Sequence, residues 1–307
     1  LRNKARGSIT LLNGGKVIVQ GAKNFGAVSA GDGYQRQVKK AASAYHIGEQ
    51  ETAKIDINNG GEITVTGEQS IAYAMLSGEG TNAGKITVTG HKNNAASATN
   101  YDGSLGFYGK KGIFTNTNTG VITTSDKLAH AVVLKQASTT AGEMKFHHYG
   151  EINVSSPATD PGNMRVFSDG YALANFYNAS KVYVGDDSVG IHTSRIDGFN
   201  HTFKNHGTLD IKIGARSTFA YLDGAATTTL KEFFNNGSAK VNIVAPMGTE
   251  SSLVYANNQA KSHLDADYTI TQGAANSTIA LLAANKSEVK LTSGKTLTTD
   301  TQVALAA

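Results

Sequence analysis

Two adjacent carboxylates in the middle of the chain are of the residue type that hydrolysis of a glycosidic bond requires. Asp186 and Asp187 are followed by His192 and Arg195. A carboxylate pair can supply the general acid and the base or nucleophile of that reaction. All four residues lie within ten positions, however, and neighbouring side chains of a strand point to opposite faces. The spacing therefore favours a polar corner before a strand over a catalytic centre.

Acidic side chains recur at similar places in different parts of the chain. Glu62, Glu151 and Asp210 each begin or lie near the start of an alternating segment, where Lys85 and Lys181 occupy the same place in other segments. A calcium site needs several carboxylates from adjacent strands. The alternation of acid and lysine instead predicts cross-strand charge pairs.

The histidines at 147, 148, 201 and 206 are interpreted as solvated strand residues. A zinc site needs three or four convergent ligands, and the chain contains no cysteine. A serine nucleophile in a Gly-Asp-Ser-Gly type of turn, with a distant His and Asp, is also not found in the sequence. The sequence therefore predicts no catalytic residue, no metal ligand and no cofactor.

A short phrase recurs at intervals near thirty residues. It reads Asn, any residue, Gly or Ser, any residue, and then an alternating strand rich in β-branched residues. Its first residues are Asn13, Asn59, Asn82, Asn118, His148, Asn178, Asn205 and Asn235. A repeat of this length predicts stacked units, because each unit can bury its apolar face only against the next one.

Each repeat contains three short strand signals with a period of two residues. The first ends at the Asn, the second follows the Gly, and the third begins with a Ser. Since no helical stretch separates them, each strand must pair with its copy in the next repeat. We predict an all-β fold, a single-stranded parallel β-helix with three short strands per coil and about ten coils. Right-handed winding is the default for parallel connections.

The phrase is expected to shape the corner between the first and second strands. The Gly two residues after the Asn is predicted to adopt a positive φ, and the stacked Asn side chains to form hydrogen-bonded ladders. Near the end of the chain the phrase decays. Segments 267–270 and 287–291 are predicted as second strands, and 277–281 as a third strand.

The composition limits the class of protein. The 307 residues are predicted to form one β-helix, a fragment of something longer, and a formal net charge of +4 spread along the chain does not indicate a nucleic-acid partner. The absence of cysteine excludes a disulfide scaffold. It is compatible with a cytosolic protein, with chance, or with a surface protein that crosses two membranes unfolded, since a disulfide would block such export. The type of repeat favours the surface protein.

Irregular spacing of the phrase locates three insertions. The segment 31–52 is predicted to contain a short helix, and 91–103 and 155–170 are predicted to protrude as loops. Loops on a rigid scaffold are common binding sites. The candidate binding residues in these insertions are Tyr34, Arg36, Lys39, Lys40, Tyr45, Asn100, Tyr101, Asp160 and Arg165.

The phrase and the third-strand motif together resemble a known family. Asn-x-Gly-x-Ile-x-Val-x-Gly at 59–67 and 82–90, followed by the Ser motif at 70–73 and 104–108, is similar to the passenger repeats of type Va autotransporters. The large fusobacterial outer-membrane adhesins are the most similar members. The resemblance covers about residues 7–292. It implies display on the surface of a Gram-negative cell, anchored by a C-terminal membrane β-barrel outside this chain. It also implies binding to a host cell-surface receptor, a glycan or other bacteria.

Two other functions remain open. Parallel β-helices also serve as polysaccharide lyases and hydrolases, and polygalacturonases use Asp-Asp, Gly-His-Gly and Arg-x-Lys elements. In those enzymes the elements come from successive coils, whereas residues 186–195 lie in one coil. The third possibility is a purely structural spacer of a longer adhesin. We predict that the chain is not an enzyme and that its coils form a stalk that presents binding loops.

Overall fold

The computed structural model describes residues 8–29, 54–89, 104–125, 129–135, 143–155, 166–169, 173–193, 201–224, 231–235, 240–264, 267–270 and 278–307. All regular secondary structure in these ranges is β-strand. The segment 31–52, for which a short helix is predicted, lies outside them, as does 91–103.

The strands, numbered along the chain, form three long sheets and one two-stranded sheet. The first sheet contains β1 (Ser8–Leu11), β4 (Lys54–Ile57), β7 (Glu79–Asn82), β10 (Gly112–Asn116), β13 (Met144–His148), β16 (Leu173–Phe176), β19 (His201–Asn205) and β22 (Lys231–Asn235). The second contains β2 (Lys16–Val19), β5 (Glu62–Val65), β8 (Lys85–Val88), β11 (Val121–Thr124), β14 (Glu151–Val154), β17 (Ser180–Val184), β20 (Thr208–Ile213), β23 (Lys240–Ile243), β26 (Tyr268–Ile270) and β29 (Leu297–Thr299). The third contains β3 (Phe25–Ser29), β6 (Ile71–Met75), β9 (Leu105–Gly109), β12 (His130–Lys135), β15 (Val166–Asp169), β18 (Val189–Thr193), β21 (Thr218–Asp223), β24 (Ser252–Asn257), β27 (Ile279–Ala283) and β30 (Val303–Ala306). The small sheet pairs β25 (Lys261–Leu264) with β28 (Glu288–Leu291).

Within each sheet, neighbouring strands are parallel and lie three positions apart along the chain. The strand β10, for example, lies between β7 and β13 in the first sheet, and β11 lies between β8 and β14 in the second. The chain therefore passes through the first, second and third sheets in turn. We call one such set of three strands a coil. The prediction of an all-β, parallel structure is confirmed, and the topology is consistent with a parallel β-helix.

Two assignments made from the sequence are corrected by the strand pairing. The segment 287–291, predicted as a second strand, contains β28, which pairs with β25 in the first-strand position. The segment 155–170, predicted as a protruding loop, includes β15, which pairs with β12 and β18 in the third sheet. Short alternating strands look alike in all three positions, so only their pairing partners distinguish them. The strands at 267–270 and 279–283 occupy their predicted positions.

The interior is filled by the alternate residues of each strand. In the second sheet, Ile63, Ile86, Ile122 and Ile152 stand in one continuous row through four coils and are completely or almost completely buried. Outward residues of the same strands are partly or fully exposed. Burial of each row of branched side chains against the next coil holds the coils together. The inward apolar residues therefore account both for the alternation in the sequence and for the stacking of the coils.

Aromatic rings fill the part of the interior between the first and third sheets. Phe107 and Phe114 stack with their centroids 3.9 Å apart, and Phe146 continues the stack at 5.8 Å from Phe114. Tyr73 meets both rings of the first pair edge-on and donates a hydrogen bond to the carbonyl of Ile55 at 3.2 Å. Each coil is thereby fixed to its neighbours by packing as well as by backbone hydrogen bonds.

The recurring Asn residues fall into two structural classes. Asn82, His148 and Asn205 end a first strand directly, followed by a two-residue corner, and are fully buried. Asn13, Asn59, Asn118 and Asn178 lie in wider turns and are exposed. The prediction of an amide ladder is confirmed for the strand ends alone: Asn82 Nδ2 donates to Asn116 Oδ1 at 2.8 Å, and Asn116 Nδ2 contacts His148 Nδ1 at 3.2 Å.

The predicted role of the glycine two residues after the Asn is wrong. Positive φ occurs one residue earlier, at Gly14 and Gly60. The later glycines are required for close approach between coils. A Cβ on Gly84 would overlap the carbonyl of Gly61, and a Cβ on Gly150 would overlap that of Gly120. Any side chain at these positions would push two coils apart.

Serines that precede third strands also join consecutive coils. Ser104 Oγ donates to the carbonyl of Gly67 at 2.8 Å and accepts from the backbone N–H of Ser70 at 3.2 Å. Ser217 makes the equivalent contacts with Gly185 and Ser188 at 2.7 and 3.0 Å. These buried hydroxyls satisfy backbone groups that the corner leaves unpaired. The serines are therefore structural.

Candidate functional site

The nine candidate binding residues of the insertions all lie outside the described residues. They are Tyr34, Arg36, Lys39, Lys40, Tyr45, Asn100, Tyr101, Asp160 and Arg165. Their role as contacts stays a prediction.

The acidic pair at the second corner forms structural bonds. Asp187 binds Arg216 of the next coil through two hydrogen bonds, Nε to Oδ1 at 2.6 Å and Nη2 to Oδ2 at 2.7 Å. Those bonds lower the pKa of the Asp187 carboxyl. Asp186 Oδ1 accepts the backbone N–H of Ala215 at 2.8 Å. His192 is buried and stacks on Tyr221 with ring centroids 5.2 Å apart. The interpretation of 186–187 as a polar corner is confirmed.

The described ranges contain neither a metal-binding cluster nor a membrane-spanning helix. Within them, no group of three or more His, Asp or Glu side chains is arranged to hold a metal ion. Within the same ranges, no helix has the length and apolar character needed to cross a bilayer.

The most distinctive outward feature is a cluster at the corner between the first and second sheets. We call it the aromatic corner and define it as His147, Tyr149, Asn175, Tyr177 and His206. Tyr149, Tyr177 and His206 each directly follow the first strand of their coil. Their backbone N–H groups donate to the strand end of the preceding coil, at Asn116, His148 and Phe176 respectively. The regular pairing of the coils therefore places three rings in register.

The three rings stack along the direction in which the coils are added. Tyr149 and Tyr177 are almost parallel, at 5° with centroids 4.3 Å apart, and Tyr177 and His206 follow at 16° and 5.1 Å. Both faces of Tyr177 are therefore covered by rings. Tyr149, at the end of the stack, is 38% exposed, and His206 is exposed as well.

Hydrogen bonds fix the rings against the outer face of the first sheet. His147 Nδ1 and the Tyr177 hydroxyl are 2.8 Å apart, and His206 Nε2 lies 2.9 Å from Asn175 Oδ1. Because a carboxamide oxygen only accepts, Nε2 of His206 donates this bond. Each ring of the corner that makes such a bond is therefore held by a residue of a first strand: Tyr177 by His147, and His206 by Asn175.

Lysines flank the corner on both sheets. On the first sheet, Lys145 shares the outward face of β13 with His147, and Lys204 is paired in register with Asn175. Lys145 contributes to lowering the pKa of His147, after burial, and Lys204 contributes in the same way at His206. In both cases the neighbouring ammonium group disfavours the charged imidazole, because like charges repel.

On the second sheet, charges of both signs meet around Tyr183. Lys212 Nζ lies 4.5 Å from the centre of its ring, and Lys181 Nζ is 3.7 Å from Glu151 Oε2. Lys181 is also paired in register with Asp210. The predicted cross-strand pairing of acids and lysines is confirmed for Lys181 with Glu151, and also for Lys16 with Glu62 at 3.5 Å.

His148 lies directly beneath the corner and is fully buried. Its Nε2 is 3.0 Å from the carbonyl of Lys181, which can only accept, so Nε2 carries the hydrogen and Nδ1 accepts from Asn116. Burial lowers the pKa of His148 to about 4. The interpretation of this histidine as a solvated strand residue is wrong, because it points into the interior and takes the place of an asparagine in the ladder.

A second row of rings lies on the third sheet. His192, Tyr221 and Tyr255 are paired in register, and Tyr255 meets Tyr221 edge-on at 5.1 Å. Asn257 Nδ2 donates to the Tyr221 hydroxyl at 2.9 Å, and Asn285 Nδ2 donates to Asn257 Oδ1 at 2.7 Å. This row carries fewer exposed rings and is not flanked by lysines on its own strands.

Sequence reasoning did not find the aromatic corner, although a signal was present. Tyr149 and His206 fall at the variable second place of the phrase, whereas Tyr177 falls just before the phrase that begins at Asn178. Aligning the repeats by strand ends rather than by Asn would have placed Tyr149, Tyr177 and His206 in one column.

Comparisons with known proteins identify no relative. The chain matches no protein family, no curated protein and no solved structure.

Proposed function

We propose that the chain is a surface-displayed binding protein, a segment of a bacterial adhesin of the autotransporter-passenger kind. In this proposal it is a right-handed parallel β-helix of about ten coils that acts as a stalk and presents contacts to a host cell-surface receptor, a glycan or another bacterium. It has no enzymatic activity and needs no cofactor. The proposed location is the outer surface of a Gram-negative cell.

One observation carries the proposal: the inward rows repeat from coil to coil while the outward rows change. The row of Ile63, Ile86, Ile122 and Ile152 is constant. The outward row of the first sheet changes from Thr115 to His147, Asn175 and Lys204 in four successive coils. A solenoid of this kind offers a long surface whose outward side chains can differ from coil to coil without changing the fold.

The hydrogen bonds of Asp186 and Asp187 support a binding role over a catalytic one. The carboxylates of Asp186 and Asp187 are occupied by Ala215 and Arg216 in the next coil. In an inverting or retaining hydrolase the two carboxylates face each other across the scissile bond. Neither acid at this corner is available for that arrangement.

An adhesion assay with beads coated with the purified chain tests the proposal. We expect coated beads to bind epithelial cells or bacterial cells above the level of beads coated with an unrelated protein. Binding to neither cell type would contradict an adhesive role and favour a structural spacer.

Two deletion variants test whether the adhesive contact lies in a loop or on the sheets. Removing 31–52 leaves β3 and β4 intact, but removing all of 155–170 would take out β15, so the second deletion is confined to 156–165. Loss of adhesion in either deletion would locate the contact in that loop. Full adhesion in both would place it on the sheets.

A further inference from the structure

We propose that the aromatic corner binds an acidic oligosaccharide, a chain of sugar rings that carries carboxylate or sulfate groups. The inference rests on the proposed binding function and names the class of ligand for one site. It is carried by three features that occur together: an exposed ring, flanking lysines and a fixed arrangement of hydroxyl and imidazole groups.

The exposed ring at the end of the stack is that of Tyr149, which is 38% exposed. One of its faces stacks on Tyr177, while in the preceding coil the equivalent position is Thr117, whose backbone N–H donates to Asn82 in the same pattern. Among the described residues Tyr149 therefore has a ring neighbour on one side only. The C–H face of a pyranose packs on such a flat, apolar surface while its hydroxyls stay in water.

The charge around the rings is positive. Lys145 and Lys204 lie on the first-sheet side. On the second-sheet side Lys181 is 3.7 Å from Glu151, so the charges of that pair offset each other and the positive charge beside the rings comes from the first sheet. Such a surface attracts an anionic ligand and gives a neutral one no electrostatic benefit.

The geometry indicates an oligomer rather than a single sugar. Lys145 and Tyr149 are four residues apart along extended chain, about 13 Å. A ligand that stacks on Tyr149 and reaches Lys145 must span that length. The hydrogen-bonded rings between them require no rearrangement on binding, which reduces the entropic cost.

The stacking of the rings argues against single-stranded nucleic acid, which also carries negative charge. Proteins that bind such strands offer separate aromatic faces to successive bases. Here both faces of Tyr177 are covered by Tyr149 and His206. A base can stack on one ring at most, whereas an acidic sugar chain needs only one.

Calorimetry or biolayer interferometry with the purified chain tests the inference. The probes are a sulfated heparin octasaccharide, a carboxylated hyaluronan octasaccharide and a neutral chitin hexasaccharide. We expect at least one acidic probe to bind and the neutral probe to bind at least about tenfold more weakly. The comparison of the two acidic probes distinguishes sulfate from carboxylate. Raising the salt concentration from about 0.05 to about 0.5 M should weaken binding several-fold, because the Debye length falls.

Two variants of the corner are informative because their side chains face solvent. We expect Tyr149→Ala to weaken binding about two- to tenfold through loss of the ring contact. We expect Lys145→Ala combined with Lys204→Ala to weaken it about fivefold or more and to reduce the dependence on salt. The matched controls are Lys286→Ala and Tyr255→Ala, an exposed lysine near the end of the chain and a tyrosine of the third sheet, which should bind like the original chain.

Three results would overturn the inference: equal affinity for the neutral probe, equal or tighter binding of a single-stranded oligothymidine, or unchanged affinity in both corner variants while circular dichroism shows the native fold. Failure of the underlying function is distinguishable. If cells bind the coated beads but no acidic probe binds, only the ligand class is wrong. If an acidic probe binds and no cell does, the oligosaccharide site is supported and the adhesive function is contradicted.

Discussion

His148 is held neutral by its neighbours. In the folded chain Asn116 donates to Nδ1, and the carbonyl of Lys181 accepts from Nε2. A proton on Nδ1 would face the Asn116 amino group, and turning that amide would break its bond from Asn82. The ladder can therefore accept a charged His148 only by rearranging two further side chains.

We predict that His148 makes the chain sensitive to mild acid. Its folded pKa of about 4 lies below the ordinary value of 6.5, so the unfolded chain takes up a proton first. The contribution of neutral His148 to the free energy of unfolding is fully present above about pH 7. It decreases as the pH is lowered from 6.5 towards 4, and about 3 kcal/mol is lost in all. Thermal unfolding between pH 7 and pH 4 measures the loss.

The variant His148→Asn restores the residue type of the other ladder positions and removes the titrating group. We expect it to lose less of its melting temperature on acidification than the original chain. His206→Asn, in which an exposed histidine is replaced, is the control and should keep most of the acid sensitivity. An identical pH profile for His148→Asn and the original chain would exclude this histidine as the cause.

A second prediction at the residue scale separates the two classes of Asn. Asn116 is buried, accepts from Asn82 and donates to the carbonyl of Gly120 at 3.1 Å, whereas Asn118 is exposed in the same corner. We expect Asn116→Ala to lower the free energy of unfolding by about 1–3 kcal/mol, since it leaves buried partners unsatisfied. Asn118→Ala should change it by less than about 0.5 kcal/mol. Urea titration of both variants measures the difference, and equal costs would contradict the division.

At the scale of the strands and corners, the two-residue corners depend on glycine for a reason that torsion angles do not reveal. The backbone of Gly150 passes directly against the carbonyls of Thr117 and Gly120 in the preceding coil. Gly14 has φ +75° and open space around its missing side chain. One glycine permits contact between coils, and the other permits a left-handed turn.

We therefore predict different costs for the two Gly→Ala substitutions. Gly150→Ala should destabilise the chain by about 2 kcal/mol or more, because its Cβ must displace a paired coil. Gly14→Ala should cost only about 1 kcal/mol, for the left-handed conformation of an alanine. Chemical denaturation followed by circular dichroism measures both. A smaller cost at Gly150 than at Gly14 would show that the corner opens easily.

At the scale of the whole molecule, some described strands have a paired strand on one side only. They are β1, β2 and β3, then β22 and β25, and then β28, β29 and β30. Ile9 is in register with the buried Ile55 yet is 65% exposed, and Leu305 is in register with Leu281 and 68% exposed. Unpaired parallel strands with apolar inward rows are a template for another copy.

We predict that the chain associates head to tail as its concentration rises. The contact is heterologous, because the first coil of one copy meets the last coil of another. Such a contact forms no closed ring and leads to filaments of increasing length. Sedimentation velocity over a range of concentrations measures the effect. Ile9→Glu and Leu305→Glu should each reduce it, and Ile113→Glu, which replaces an exposed apolar residue on an outward face, should not. A monomer at all concentrations would contradict the prediction.

The repeat in the sequence was sufficient for the architecture of the described residues. Alternation of β-branched and polar residues in short segments, with no helical pattern between them, leaves parallel pairing between successive repeats as the way to satisfy the backbone. Strands such as β5, β8 and β14 lie where the phrase predicted them. A ladder of stacked Asn side chains and a polar corner at 186–187 were also predicted from the sequence, although the sequence placed Asn118 rather than Asn116 in the ladder.

Only the tertiary structure decided which residue of each corner is buried. Corners of two and four residues carry the same Asn-x-Gly letters, so the sequence aligned exposed Asn118 with buried Asn82. The register between coils, which is set by packing of the strands, shows instead that Asn116 stands between Asn82 and His148. The same register brings Tyr149, Tyr177 and His206 together from positions about thirty residues apart. A local pattern determines which side of a strand is buried, but which side chains meet on the outside depends on how the coils are aligned.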